Sequence, residues 1–244
     1  ICLKQAESIG SMAFCGCSDL RWDLVSADLP DVLYQIGERA FEDTALIKQS
    51  GDTLKALGRI VISGTGCSGV ISLPEGITGI APFAFSGNDA VTKVIFPKSL
   101  SWIGEGAFWG CHGLREVVSP EKIFKIGARA FEKCTSLFKI NIRVKELGTA
   151  AFAYCTSLTE AVLSGGSVLS GRLFEGCASL RICVCENAEK VQEHCFGGCI
   201  GLEEFDLSHI CEIGEYAFEN CARFRKAEFA EDVRIMPHAF EDCG

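Results

Sequence analysis

Cysteine is the residue type with the greatest chemical potential in this 244-residue chain, which contains 15 Cys and 4 His. A reactive thiolate needs a nearby base or cation, and a zinc site needs converging ligands. The densest group is His194, Cys195 and Cys199, whose spacing matches no established zinc pattern, and no two histidines form a His-x-x-x-His pair. We therefore predict no catalytic residue, no metal site and no cofactor, and expect that the protein is not an enzyme.

A second chemical motif lies at Gly64–Gly69, where Gly-Thr-Gly-Cys-Ser-Gly spells the dinucleotide fingerprint Gly-x-Gly-x-x-Gly. That fingerprint binds a pyrophosphate only when a strand precedes it and a helix follows it. Here the residues that follow, Ile71 to Leu73, alternate in the manner of a strand. We expect no nucleotide binding at this position.

Eight cysteines occupy one repeated place, three residues after a motif aromatic: Cys17, Cys111, Cys134, Cys155, Cys177, Cys199, Cys221 and Cys243. Other repeats put Thr44, Thr65 or Asn88 there, so the place favours a small group that hydrogen-bonds turn backbone. Stacked copies would keep their Cβ atoms about 4.8 Å apart, beyond disulfide reach. We predict a column of free thiols, which favours the cytoplasm or an anaerobic organism.

The element that positions these residues is a repeat, Ile-Gly-x-x-Ala-Phe-x-x-Cys-x-x-Leu. Its Phe place is filled at Phe14, Phe41, Phe85, Phe108, Phe131, Phe152, Phe174, Phe196, Phe218 and Phe240. The spacing is close to 22, apart from 27 at the first interval and 44 at the second. The interval of 44 residues, between Phe41 and Phe85, is twice the repeat length, and degenerate units at 42–69, with Ile62 in the Phe place, fill it. We predict one array of about eleven units over 1–244, truncated at both ends, with an insertion between Trp22 and Gln35.

Two apolar places follow each Phe by nine and eleven residues, as at Val94 and Phe96 or Ile140 and Ile142. A period of two is typical of a strand, and a repeat of 20–29 residues is typical of leucine-rich repeats. The predicted fold class is a repeat solenoid with one short parallel strand in each coil of about 22 residues. Its apolar side chains would stack on their copies in the next coil.

These units resemble the BspA-like leucine-rich repeats, as in the segment Ile103–Cys111, and the resemblance spans essentially all 244 residues. It is weakest from Thr44 to Gly69. The resemblance implies a right-handed leucine-rich-repeat superhelix and a non-catalytic role in recognition or adhesion. It is compatible with a cell-surface location, whereas the thiols favour the cytoplasm, so the compartment stays open.

Side chains eight and ten residues after each Phe should point outward from the sheet, where solenoids bind partners. The candidate binding residues are Ile95, Val118, Val162, Ile182, Val184 and Trp22. The strand propensity of Val and Ile is an alternative explanation for them. In the same face Lys93, Glu116, Lys139 and Glu160 alternate in sign, which predicts cross-strand ion pairs.

Charge and hydropathy exclude several partners. The 23 Lys and Arg against 32 Asp and Glu give a net charge of −9, which disfavours nucleic acid. No apolar run approaches the roughly 18 to 20 residues of a membrane span, so no membrane insertion is predicted. Residues 201–244 hold eleven acidic and four basic side chains, either an ordinary solvated surface or a contact for a basic partner.

The pattern predicts a protein-interaction module that binds a macromolecular partner through the sheet face. We expect that partner to be a protein. The alternative is a structural spacer or assembly subunit, whose open ends contact other parts of its own chain or further copies.

Overall fold

The structure is a computed structural model that describes residues 7–20, 35–37, 40–41, 43–48, 54–119, 121–225 and 228–244. It is a β-solenoid of short coils with one helical turn, α1, at Ala45–Lys48. The strands are β1 Ser8–Ile9, β2 Gln35–Ile36, β3 Lys55–Leu57, β4 Ile60–Ser63, β5 Gly69–Ser72, β6 Gly79–Ile80, β7 Val91–Ile95, β8 Trp102–Ile103, β9 Glu116–Val118, β10 Ile123–Ile126, β11 Lys139–Leu147, β12 Glu160–Ser164, β13 Val168–Leu169, β14 Ile182–Cys185, β15 Lys190–Val191, β16 Glu212–Ile213 and β17 Arg234–Ile235.

Parallel pairing between successive coils builds the solenoid, as the repeat predicts. Strands β5, β7, β9, β11, β12 and β14 form one ladder, which we call the face ladder. Its register sets repeat-equivalent residues opposite each other, for example Ile95 opposite Val118. The predicted fold class is confirmed.

Each coil also contributes to a second ladder, which the sequence reasoning did not anticipate. It contains the Ile place of the motif and has two parts, one through β4, β6, β8, β10 and the second half of β11, and a separate one through β13, β15, β16 and β17. The motif glycine permits close approach of the coils, since a Cβ on Gly104 would lie 2.5 Å from the Pro82 nitrogen. The coil is therefore held by backbone hydrogen bonds on two sides.

The core is a column of motif phenylalanines. From Phe85 to Phe240 each ring stacks on the next, with centroids 4.7 to 5.8 Å apart. Most of these rings are fully buried. Phe14 and Phe41 form a separate stacked pair at 5.4 Å. Offset aromatic stacking adds to the large apolar area that each ring removes from water.

The degenerate unit requires a correction. Val61, rather than Leu57, lies opposite Ile80, so Ile62 does not occupy the Phe place. Instead β3 and β4 form an antiparallel hairpin, and the coil turns at Gly64, where a Cβ would lie 1.9 Å from the Phe85 ring. The unit is shorter than its neighbours in this turn, and Thr65 is exposed rather than part of the cysteine column. The predicted strand at Ile71 is confirmed, because Ile71 lies opposite Val94.

Within the described ranges, no helix has both the length and the apolar character that crossing a membrane requires.

Candidate functional site

The candidate site is the face surface, defined as the outward side chains of the face ladder. Ile95 lies opposite Val118 on β7 and β9, and Val162 lies opposite Val184 on β12 and β14. Asn141 on β11 lies opposite Val162 and separates these two apolar groups. The predicted residues are therefore brought onto one sheet, but in two groups rather than one row.

Exposure differs along this surface. Ile182 is 54% and Val184 is 42% exposed, whereas Ile95, Val118 and Val162 are half-buried between their neighbours. Among the predicted binding residues that the structure describes, the two exposed ones thus lie on β14. Trp22, the sixth predicted residue, and most of the predicted insertion from Trp22 to Gln35 lie outside the described residues.

Ion pairs flank the apolar groups, as the alternating charges predict. Lys93 Nζ lies 2.9 Å from Glu116 Oε2, and Lys139 Nζ lies 2.8 Å from Glu160 Oε1. The register sets Lys139 opposite Glu116 as well, which continues the charge ladder. The cross-strand pairs are confirmed. Because these side chains are partly exposed, each pair contributes only a few tenths of a kcal/mol up to about 1 kcal/mol.

The cysteine column is a ladder of thiol hydrogen bonds. Each thiol from Cys111 to Cys243 donates to the carbonyl oxygen of the motif Phe of the preceding coil, at Sγ to O distances of 3.0 to 3.2 Å. Two residues that replace cysteine also donate to backbone carbonyls. Asn88 Nδ2 donates to the Gly64 carbonyl of the preceding coil, whereas Thr44 Oγ1 donates to the Phe41 carbonyl of its own coil. The predicted structural column is confirmed over this span.

Cys17 departs from that prediction, because its side chain is exposed, whereas its equivalents from Cys111 to Cys221 are buried and Cys243 is half-buried. Cys183 and Cys195 are buried core residues, as predicted, and Cys185 is half-buried. The Cys183 and Cys185 sulfurs lie 3.7 Å apart, on the inner side of β14. No disulfide links the cysteines Cys111 to Cys243 of the column.

Burial controls the acidity of the column. Desolvation raises the pKa of Cys111, Cys177 and Cys221 to about 12 and that of Cys134, Cys155 and Cys199 well above the usual value. A thiol in this environment stays protonated at neutral pH and is a poor nucleophile. The arrangement stabilises the fold and offers no reactive sulfur.

The remaining motifs form no chemical site. In the part of the chain that the structure describes, no three His, Cys, Asp or Glu side chains converge in a way that could hold a metal ion. The stretch Gly64–Gly69 lies between strands β4 and β5, so the helix that a dinucleotide site needs is replaced by a strand.

Sequence reasoning missed a groove beside β14. It has a volume of about 630 Å³ and lies between β14 and the segment 203–207 of the next coil. Here the face ladder stops, and the next coil contributes a single-residue bridge at Glu204 instead of a strand. The available sequence signal was Asp206, an acidic residue at the centre of a strand position where its equivalents are Val162 and Val184.

Comparison with known proteins agrees with this geometry. The model of the BspA type leucine rich repeat region matches six copies, over residues 2–55, 63–181 and 138–244. The chain belongs to this family. The match of the BspA-type repeats covers most of the array, including the coils that build the face surface.

Solved structures of bacterial leucine-rich-repeat proteins resemble this BspA-type array. The Treponema pallidum leucine-rich-repeat protein is 25% identical, with a TM-score of 0.58, over 70% of this chain and 90% of that one. A leucine-rich-repeat protein from Bacteroides ovatus is 22% identical, with a TM-score of 0.50, over 93% of this chain and 65% of that one. No curated protein sequence matches the chain.

Membership in the BspA-type family indicates a role in protein interaction or adhesion, and the repeats of this family are typically non-catalytic. Leucine-rich-repeat arrays present extended sheet surfaces to their partners. The family and the geometry thus agree on the kind of role.

Proposed function

We propose that this array is a non-catalytic protein-interaction module that binds a protein partner through the face surface. The observation that carries the proposal is the exposed apolar area of Ile182 and Val184 beside Val162, flanked by the ion pair of Lys139 and Glu160. An exposed apolar patch with a polar rim is typical of a protein-binding surface.

The scaffold suits this role. Two ladders and the stacked phenylalanines fix the strands that carry the face surface, so binding needs little ordering of the backbone. The raised pKa values of the buried column thiols support the non-catalytic part of the proposal. The recurrence of the same coil, with its motif Phe stacked on the next from Phe85 to Phe240, also supports treating this part of the chain as a single array.

The test compares two face variants with a matched control. Each face variant places a charge in one of the two apolar groups: Val118→Lys in the first and Val162→Lys in the second. The control, Val168→Lys, places the same charge at an exposed position of β13, outside the face ladder. Each protein is immobilised and exposed to a protein extract, and retained proteins are identified and then purified for calorimetric titration. A partner bound by the wild type and Val168→Lys but not by a face variant supports the proposal.

Equal binding of that partner to all four proteins would overturn the proposal. It would favour the alternative of a structural spacer, because a spacer tolerates charges on its sheet face. Urea unfolding of every variant shows whether a lost interaction reflects the surface rather than the fold.

A further inference from the structure

The face ladder ends at β14, where the junction with the next described coil is open. In five coils the N–H seven residues after the motif Phe donates to the equivalent carbonyl of the preceding coil. These bonds are Arg115 to Thr92, Phe138 to Arg115, Thr159 to Phe138, Arg181 to Thr159 and Arg225 to Glu203. Among the described residues, the equivalent bond from Glu203 N to the Arg181 carbonyl is not formed.

A second bond is missing at the same junction. Phe96 N donates to the Val118 carbonyl at 2.9 Å, and the equivalent donor and acceptor are Cys185 N and the Asp206 carbonyl. This bond is likewise not formed between the described coils, and β14 pairs only with β12. The Arg181 carbonyl and the Cys185 amide therefore lie along an open strand edge, which is a template for an added strand.

The sequence of the next coil causes the opening. The Asp206 carboxylate accepts hydrogen bonds from Ser208 N at 2.9 Å and Ser208 Oγ at 2.6 Å, which is a local turn that competes with strand pairing. Phe205 stands where the two preceding coils have the smaller Ala161 and Cys183, and its ring packs at 5.0 Å from Phe196. The open edge is thus built into the fold.

The groove along this edge has walls of different chemistry. Ile182 and Val184 form the apolar wall, and Glu204 and Asp206 lie on the opposite wall. Phe205, which is buried, lies at the base. Arg181 is the one basic side chain among the described residues that line the groove. With a net charge of −7 over residues 201–244, this end of the array is strongly acidic.

We propose that the groove binds an extended peptide segment of a partner protein, with alternating basic and apolar side chains, as an added strand on β14. Strand addition satisfies the open backbone groups and lets alternate side chains determine specificity. A basic side chain directed outward would lay its aliphatic stem on Ile182 and Val184 and bring its charge to Glu204 or Asp206. The intervening apolar side chains would face Phe205.

This inference rests on the proposed function, since it assumes a protein partner, but it adds the unpaired backbone groups of β14 to the outward side chains of the face surface. The probe is a fluorescein-labelled octapeptide of alternating lysine and valine. One control peptide replaces lysine with glutamate, and another carries N-methyl groups on alternate backbone amides. Binding is followed by fluorescence anisotropy with the whole 244-residue chain.

We expect the lysine peptide to bind and the glutamate peptide not to bind. N-methylation removes several backbone hydrogen bonds and should weaken binding at least about tenfold. Glu204→Lys should weaken it about fivefold or more by replacing attraction with repulsion, whereas Glu121→Lys, an exposed site elsewhere, should change it less than about twofold. Binding should also weaken as salt is raised.

Equal affinity for the N-methylated and unmodified peptides would overturn strand addition, and equal affinity for the glutamate peptide would overturn the charge preference. Sedimentation velocity of the protein alone is a further check. A dimer that Val184→Lys dissociates would show that a second copy occupies the edge, and would overturn the proposal. If the peptide fails while Val118→Lys still abolishes capture of a partner, the proposed function stands and the groove is not its site.

Discussion

The thiol of Cys177 donates a hydrogen bond to the carbonyl oxygen of Phe152, 3.1 Å away, across the junction of two coils. Both residues are fully buried, so water cannot replace this bond if the thiol is lost. The same contact recurs at every junction from Phe85 to Cys243. Cysteine therefore acts here as a small donor that fills space, and its chemical reactivity is suppressed.

Removal of this donor should destabilise the array. Cys177→Ala removes the thiol donor of the Phe152 carbonyl, which keeps the longer 3.4 Å bond from Cys155 N, and opens a small cavity, so we expect a loss of about 1–3 kcal/mol in the free energy of unfolding. Urea denaturation followed by circular dichroism measures the change. Cys17→Ala is the matched control, since Cys17 is exposed and should shift stability by less than about 0.5 kcal/mol. Equal effects at the two positions would contradict the structural role.

Alkaline pH should weaken the fold through the same thiols. Burial raises the pKa of Cys177 from about 9 to about 12, so above pH 9 the unfolded chain loses a proton that the folded chain keeps. The contribution is complete below pH 9 and declines as pH rises toward 12, by about 1.4 kcal/mol per pH unit for each thiol. The free energy of unfolding, measured between pH 8 and pH 10.5, should decline less steeply with pH for Cys177→Ser than for the wild type. Parallel curves would contradict the pKa shift.

The shortened coil makes Gly64 sensitive to substitution. Gly64→Ala would place a Cβ 1.9 Å from the Phe85 ring, so the buried ring or the backbone must move. We expect a loss of about 1–3 kcal/mol in unfolding free energy. Gly10→Ala provides the comparison, because among the described residues, its chain neighbours apart, no atom lies within 4 Å of the added Cβ. Thermal unfolding of the two variants tests this prediction. An unchanged stability of Gly64→Ala would contradict the close packing of Gly64 against the Phe85 ring.

The ion pairs should contribute little on their own. A double-mutant cycle with Lys139→Met and Glu160→Gln should give a coupling energy of about 0.2–1 kcal/mol, since both side chains are partly exposed. Unfolding free energies measured at low and high salt should show that the coupling decreases as salt screens the pair. A coupling above about 2 kcal/mol would mean that the pair is a main source of stability.

The repeat made most of the architecture predictable. Because the repeats are about 22 residues long, each motif Phe and Cys lies next to its equivalent in the neighbouring coil. This alignment alone predicts the stacked rings, the thiol column and the ion pair of Lys93 and Glu116. The second ladder was not predictable from alternation, because its contribution at Gly79–Ile80 and most later coils is only two residues long.

Local interactions explain the remaining differences. The degenerate unit has several apolar residues in succession, and only the hairpin between β3 and β4 selects Val61 as the partner of Ile80. The groove depends on a hydrogen bond between Asp206 and Ser208 and on the packing of Phe205. Neither contact leaves a periodic signature in the sequence.

The separation of the Phe14 and Phe41 pair from the stack of Phe85 to Phe240 has a consequence for cooperativity. In a linear array, folding spreads from coil to coil only as far as nearest-neighbour coupling is strong. The uninterrupted ring stack couples the coils from Phe85 onward. In the coil before it, Gly64, which has no ring, lies against Phe85, so the stack does not continue toward Phe41. We therefore expect the coils from Phe85 onward, which carry the groove and most of the face surface, to unfold as one cooperative unit that persists after the earlier coils have unfolded.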